Sequence, residues 1–466
     1  MRGVQAAALG SAAALIGLSR LALAQTWEPR LEVQGVEIAD AAVRSPRGNW
    51  TPIAWDDLGR TPFAPDAYRV RIMTPSGASH VELPSCAGRE RVEVDGRAVS
   101  TLPGPLVLPL APGPHEVVFS VTVSGYEKRI ACGDRPRAGA ASPSTDGLRV
   151  LSFPSPSADR GGGRAVVYVP PHHDATVPRP LLVGLHPWNG SMWTYAAYAE
   201  LLREARARDV LLLMPSGLGN SLYTADAEDE VMRAIDALSA VVAVDRGATS
   251  LWGASMGGAG ATTIAFHRPD RFASVTSFFG DSKYDRATYV RGILRSDAAA
   301  HAVNAADVVE NARNLPVWLV HGEADHTSPI RQSEILATAL GREGFDVRFD
   351  RVPAEGHSGA LVARFAAEVV ARAASSRVPR GPSRVTYRSV RASDTEAYGV
   401  RIVRASSSGD AFVDIARDDH GVHVRSAQGV RSIVLARGAL GSPRDPAPPI
   451  VVDDPAAAGV DVRWGP

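Results

Sequence analysis

Ser250-Leu251-Trp252-Gly253-Ala254-Ser255-Met256-Gly257-Gly258-Ala259-Gly260 is a short apolar run that breaks into glycines around one serine. It then continues as a helix-compatible stretch to His267. The pattern Gly253-x-Ser255-x-Gly257 suits a strand that must turn at once into a helix. Such a bend lifts the serine hydroxyl out of the sheet on a strained backbone, and glycines on either side let the chain close that tightly. A glycine-rich turn carrying a surface serine would read the same way locally. What separates the two is whether the partners of a nucleophilic serine follow in order.

They do. A serine hydroxyl is a weak nucleophile near neutral pH without a base. His357 lies in Val352-Pro353-Ala354-Glu355-Gly356-His357-Ser358-Gly359, a loop after an expected strand and before the last helix. His267 is the rival, but it lies on the helix that follows Ser255, some three turns along, and cannot reach back. The base needs an orienting carboxylate. Asp325, in Leu319-Val320-His321-Gly322-Glu323-Ala324-Asp325, sits just past a strand's carboxyl end, where catalytic groups gather in open parallel sheets. Glu323 and Asp281 compete for this role. The order Ser255, Asp325, His357 is the one such a sheet uses. An oxyanion formed in acyl transfer needs two backbone N–H donors. Met256, next after the serine, supplies one. The other is expected from His186-Pro187-Trp188-Asn189-Gly190, which follows the strand Leu181–Leu185. Pro187 has no N–H, so Trp188 is the candidate, and its ring is free to pack the loop at the same time.

Around this core the chain of 466 residues divides by texture. Residues 26–145 show short period-two runs broken by Gly and Pro, such as Tyr68–Ile72, Val92–Gly96 and Glu116–Val123, which predict an antiparallel β-sandwich-like domain. Residues 148–376 alternate apolar strands with amphipathic helices, among them Trp193–Arg208 and Asp229–Val242. That alternation predicts an α/β domain, a doubly wound, mainly parallel sheet covered on both faces. Residues 384–466 return to short β runs and read as a small β domain, with a hairpin turn at Asp418-Asp419-His420-Gly421. Linkers rich in Gly, Ala, Ser and Pro fall at 137–146 and 375–383.

The formal net charge is zero, which argues against binding nucleic acid through a basic surface. Arg2, the apolar stretch Ala6–Leu18 and Ala22-Leu23-Ala24 read as a signal peptide over residues 1–24, with cleavage before Gln25 and export to the periplasm or beyond. No later stretch is long and apolar enough to span a membrane. The two cysteines, Cys86 and Cys132, are then expected to form a disulfide, against the alternative of two buried thiols. Neither they nor His172-His173-Asp174 make a metal site, and no cofactor is expected.

Taken together, these segments resemble the α/β-hydrolase superfamily. The likeness is to secreted esterases of the feruloyl-esterase and esterase-D type, and also to prolyl-oligopeptidase-type catalytic domains. It rests on Ser255-Met256-Gly257-Gly258-Ala259-Gly260, Pro269-Asp270-Arg271-Phe272-Ala273, His321-Gly322-Glu323-Ala324-Asp325 and Gly356-His357, and it covers about half the chain. Where those esterases carry His-Gly, this chain has His186-Pro187. The resemblance implies an α/β-hydrolase fold and an exported enzyme that cleaves small-molecule or polymer-linked esters through an acyl-serine. Two alternatives stand beside it: a serine peptidase with the same three residues, and an inactive binding protein on the same fold.

Overall fold

The computed structural model describes residues 26–466 apart from 30–32, 36, 46, 55–65, 77, 84–88, 101–105, 109, 122–136, 141–147, 157–161, 171–175, 193, 285–289, 291, 444 and 466. The signal-like segment, Cys86, Cys132 and the His172-His173-Asp174 run lie outside the described residues.

A nine-stranded sheet forms the centre. Its strands, numbered along the chain, are β1 (Thr26–Pro29), β2 (Leu148–Pro154), β3 (Gly162–Tyr168), β4 (Arg179–Leu185), β5 (Leu211–Pro215), β6 (Val244–Ala254), β7 (Ser274–Phe278), β8 (Val317–Gly322) and β9 (Val347–Val352). Their order across the sheet is β1-β2-β3-β5-β4-β6-β7-β8-β9. The three strands β1 to β3 run antiparallel, and β5, β4 and β6 to β9 all pair in parallel. β1 is a departure from the sequence reading, which put residue 26 in the N-terminal sandwich. It pairs Trp27 with Leu151 and extends the central sheet. Four residues are too few to show which sheet they will join.

Among the described residues, five α-helices of ten residues or more cover this sheet: α1 (Ala199–Arg208), α2 (Asp226–Val241), α3 (Met256–His267), α4 (Arg331–Arg342) and α5 (Gly359–Ser375). Alternate strand residues face opposite layers. Leu181, Val183 and Leu185 of β4 join Val231 and Leu238 of α2, Ile264 and Phe266 of α3 and Leu336 of α4. Leu182 joins Trp252, Phe278 and Trp318 under Leu201 of α1 and Leu361 and Val370 of α5. With both faces covered, Leu181–Leu185 of β4, Leu211–Met214 of β5 and Val317–Val320 of β8 have no polar side to show, which is why they read as apolar runs. Each large side chain buried here contributes about 1.5–3 kcal/mol.

Ten strands between residues 33 and 140 form a six-stranded and a four-stranded antiparallel sheet. In Ala67–Thr74, Val70 and Ile72 point into a core while Arg71 and Met73 face out, the alternation seen in the sequence. Beyond residue 384, two four-stranded sheets share one apolar core containing Val385, Val413 and Val424 from one and Val400, Ile402 and Ile433 from the other.

This C-terminal pair of sheets is tied to one edge of the central sheet. Tyr398 Oη donates to Pro269 O at 2.8 Å, and Tyr398 N donates to Asp270 Oδ2 at 3.0 Å. Asn311 Nδ2 donates to Arg388 O at 2.9 Å, and Asn314 Nδ2 to Arg384 O at 2.8 Å. Val378 N reaches Gly247 O at 2.8 Å. These partners precede β7 and β8 or open β6, so they mark the amino ends of the parallel strands.

Candidate active site

The carboxyl ends of the same strands carry the residues singled out from sequence. The chain order doubles back at β4, with β5 on one side and β6 on the other. That leaves a switch point between β4 and β6, where the loops leaving them diverge and open a crevice. Ser255 follows β6 and Trp188 follows β4, so the two flank this crevice.

Ser255 adopts φ 56° and ψ −122°, a region that residues with side chains avoid. Its N–H donates to Phe278 O and its carbonyl accepts from Ala259 N, both at 2.9 Å, which locks the turn between β6 and α3. The flanking glycines are required by space. A Cβ on Gly257 would collide with the Leu185 carbonyl, and one on Gly253 with the backbone of Gly257.

Asp325 and His357 come to the serine from loops after β8 and β9. His357 Nε2 lies 2.9 Å from Ser255 Oγ, and His357 Nδ1 lies 2.7 Å from Asp325 Oδ2. The carboxylate is fully buried and held on its other oxygen. Asp325 Oδ1 accepts from Thr327 N at 2.8 Å and Ser328 N at 2.9 Å. A carboxylate so placed fixes the imidazole with Nδ1 protonated, which leaves the Nε2 lone pair toward the serine hydroxyl. The arrangement can take a proton from Ser255 Oγ and return it later.

The competitors are accounted for. Asp281 accepts from Ser328 Oγ at 2.6 Å and so braces the loop that holds Asp325. Glu323 is exposed and pairs with Arg351 Nε at 2.9 Å. His267 ends α3 and turns to Asp394 at 2.6 Å. Two supporting residues were not found from sequence. The Phe279 ring lies against His357, with centroids 4.5 Å apart. His321 is buried between Ser333 Oγ at Nδ1 and Ser328 O at Nε2, both 2.8 Å, with Asp325 Oδ2 at 3.4 Å from Nε2. Burial pushes the His321 imidazole down, so it acts as a neutral donor beside Asp325. His321 stood within the segment quoted for Asp325, but its partners lie 7 and 12 residues away in sequence and carry no pattern.

Met256 is the first residue of α3, buried, and its N–H belongs to the helix start, where amides lack intrahelical partners. The partial positive charge of that helix end favours an anion there. Trp188 is half-buried and packs against the apolar core. Its loop is pinned by Gly190 N to Pro187 O at 2.8 Å and by paired contacts of 2.7 Å between Asn189 and Asn220. His186 is buried beneath it, with Nε2 2.9 Å from Ser216 O. Ser216 Oγ in turn donates to Glu230 at 2.6 Å. Burial pushes the Glu230 carboxyl up to about 7. Among the described residues no cluster of side chains could hold a metal ion, and no helix is long and apolar enough to cross a membrane.

Residues 219–375 match the model of the prolyl oligopeptidase family, about a third of the chain. No curated protein matches the chain. Among solved structures, an S-formylglutathione hydrolase from Agrobacterium tumefaciens is 20% identical, with a TM-score of 0.44, over 51% of this chain and 99% of its own. A ferulic acid esterase is 15% identical, with a TM-score of 0.42, over 48% of this chain and 98% of its own. A putative dipeptidyl aminopeptidase IV from Bacteroides ovatus is 11% identical, with a TM-score of 0.44, over 70% of this chain and 51% of its own.

Proposed function

We propose that this serine hydrolase of the α/β-hydrolase type cleaves carboxylic esters through an acyl-enzyme on Ser255. The observation that carries the reading is the contact series from Ser255 Oγ to His357 Nε2, 2.9 Å, and from His357 Nδ1 to Asp325 Oδ2, 2.7 Å. His357 Nε2 takes the serine proton as Oγ adds to the ester carbonyl carbon. The carbonyl electron pair moves onto its oxygen, which the amides of Met256 and Trp188 receive. As the C=O bond re-forms, the alcohol leaves with the proton from His357. Water then repeats the sequence on the acyl-serine and releases the acid. Asp325 stays ionised throughout, holds the ring orientation and stabilises the transient imidazolium.

A serine peptidase using the same residues is the second reading, favoured by the family matched over 219–375. The region before the catalytic unit supports the ester reading. The strands between residues 33 and 140 build a six-stranded and a four-stranded antiparallel sheet, not the repeated four-stranded blades of a peptide-filtering propeller. The deciding experiment compares kcat/KM on unactivated alkyl and aryl esters with that on blocked peptide amides. Cleavage of the amides without cleavage of the esters replaces the first reading by the second.

The reading includes export and three units: 26–145, less the strand that joins the central sheet, then 148–376 and 384–466. Its corollary is a Cys86–Cys132 disulfide, closing about 45 residues and contributing roughly 4 kcal/mol by chain entropy. Thiol labelling of denatured, unreduced protein checks this. Two reactive thiols would rule the bridge out.

A further inference from the structure

We propose that Tyr195 is a positioning residue that sets the width of the oxyanion site by holding apart the ends of β4 and β6. The inference rests on the serine-hydrolase reading above and adds a residue to it whose hydroxyl bonds to Leu185 and Ala254 rather than to Ser255, Asp325 or His357.

Tyr195 lies ten residues past Leu185, beyond the loop that carries Trp188, in the 3-10 turn Tyr195–Ala197. Its side chain folds back beneath that loop and is buried, 1% exposed. Its hydroxyl donates to Leu185 O at 2.8 Å and accepts from Ala254 N at 2.9 Å. Leu185 is the last residue of β4, and Ala254 is the last of β6 and the one before the nucleophile. The parallel ladder between these strands ends at the pair Leu185 and Gly253. In a parallel ladder the amide that follows a paired residue faces the partner's carbonyl, so the amide of Ala254 and the carbonyl of Leu185 are the donor and acceptor of this last rung. Both engage the phenol oxygen. A tetrahedral oxygen holding both contacts puts the two atoms about 4.7 Å apart, against about 2.9 Å for a direct rung.

The spacer sits where the two strands part. Beyond Leu185 the chain enters His186–Gly190 with the Trp188 amide, and beyond Ala254 it enters Ser255 and the Met256 amide. The gap between those two amides is therefore set at its base by one hydroxyl. The group must donate and accept at once, which a neutral hydroxyl does and a carboxylate or an ammonium does not. Burial keeps the phenol protonated, well beyond its ordinary range. The ring cannot swing away. It lies against Trp252 with centroids 4.2 Å apart, and Gly184 has no side chain because Tyr195 and Trp252 fill the space a Cβ would take.

The test is Tyr195→Phe, which keeps the ring and removes the spacer. Tyr387→Phe serves as control, since it removes another buried phenol hydroxyl, one that reaches His267 O in the C-terminal dock. In Tyr195→Phe, kcat on esters and the rate of Ser255 labelling by a fluorophosphonate should both fall, about 100-fold for a displacement near 1 Å. KM should stay within about twofold, and the affinity for a trifluoromethyl ketone, which forms an oxyanion on Ser255, should fall with kcat/KM. Tyr387→Phe should keep wild-type labelling. Equal labelling rates in wild type and Tyr195→Phe overturn the proposal, as does a loss confined to KM. Labelling makes the outcome independent of substrate: a wild-type enzyme that labels but cleaves no ester sinks the ester reading and leaves this comparison intact. Should Tyr195→Phe not fold, hydrogen exchange on the wild type decides. The Ala254 amide should be protected like its strand neighbours, and free exchange there removes the spacer.

Discussion

His357 and His267 each point Nδ1 at an aspartate, His357 at Asp325 Oδ2 over 2.7 Å and His267 at Asp394 Oδ2 over 2.6 Å. Both carboxylates are buried, and both pairs join distant parts of the chain. The difference lies on the far side of the ring. His357 is 21% exposed at a strand's carboxyl end, with Nε2 on a serine hydroxyl. The His267 side chain is fully buried at the end of α3, and its Nε2 has no hydrogen-bond partner. A histidine–carboxylate contact is thus not in itself a catalytic device. It becomes one where the second nitrogen meets a nucleophile within reach of substrate. Elsewhere it holds two pieces of protein together, here with Arg391, which bridges Asp394 and Glu228.

The sharpest break of this contrast is Ser255→Ala, which removes what His357 Nε2 faces. Turnover should fall about ten-thousand-fold or more with the fold unchanged. More than a few percent residual activity in purified variant would end the assignment. Next come matched carboxamides. Asp325→Asn should cost about ten-thousand-fold in kcat by fixing the wrong tautomer, with modest loss of stability. Asp394→Asn should leave kcat within about twofold but destabilise by about 3 kcal/mol, since it replaces a buried carboxylate that is hydrogen-bonded to both His267 and Arg391. Denaturant titrations and steady-state kinetics on both variants read the two effects, and a large kcat loss in Asp394→Asn would erase the distinction. The Asp394 pair also has a pH signature. Burial alone would raise the Asp394 carboxyl, but the His267 hydrogen bond and charge, with Arg391, hold it below its usual range. A folded value below the unfolded one means a contribution present above about pH 4 and lost as pH falls through the lowered value. Asp394→Asn should flatten that acid limb.

Smaller still is the effect of Trp188→Pro, which deletes a backbone donor and should cost about 100- to 1,000-fold in kcat. Trp188→Ala, which keeps the donor, should cost less. Equal losses would assign the effect to the ring, which packs on the core. The smallest expected change concerns a third buried carboxylate, Glu230, whose burial outweighs the Ser216 hydroxyl and the Arg233 charge beside it. Its carboxyl, pushed up to about 7 by burial, binds a proton in the native state that the unfolded chain releases above about pH 4. Stability should therefore fall as pH rises between those values. Glu230→Gln should stabilise by about 2 kcal/mol at pH 8 and little at pH 4.5. Equal effects at both pH values, measured by thermal unfolding, would contradict this.

What could be read beforehand follows from the range over which each feature is encoded. The Ser255 turn is local, since two glycines and a strand-to-helix change within a few residues dictate it. Asp325 and His357 were legible because each sits in a loop directly after a strand, apolar at Val317–Val320 and alternating at Val347–Val352, and chain order supplied the rest. The mainly parallel sheet was legible because burial on both faces leaves runs such as Leu181–Leu185, Leu211–Met214 and Val317–Val320 without polar residues. The unread features depend on meetings that no spacing announces. Tyr195 reaches a backbone amide 59 residues away, and His267 an aspartate 127 residues away. The strand Thr26–Pro29 joins its sheet more than a hundred residues before its partner appears.

The attachment of the C-terminal sheets at the amino ends of the strands divides the labour of change across the molecule. Gly247, Pro269, Asp270, Asn311 and Asn314 form the dock. Ser255, Trp188, Asp325 and His357 stand at the opposite rim, with the length of the sheet between them. Loops on the Ser255 rim make none of the contacts that Gly247, Pro269, Asp270, Asn311 and Asn314 give the dock. The appended sheets can drift in sequence or acquire new surfaces without reshaping the cleft. The two ends are coupled through the strands that both of them share and through α3, which begins at Met256 and ends at His267 against Asp394.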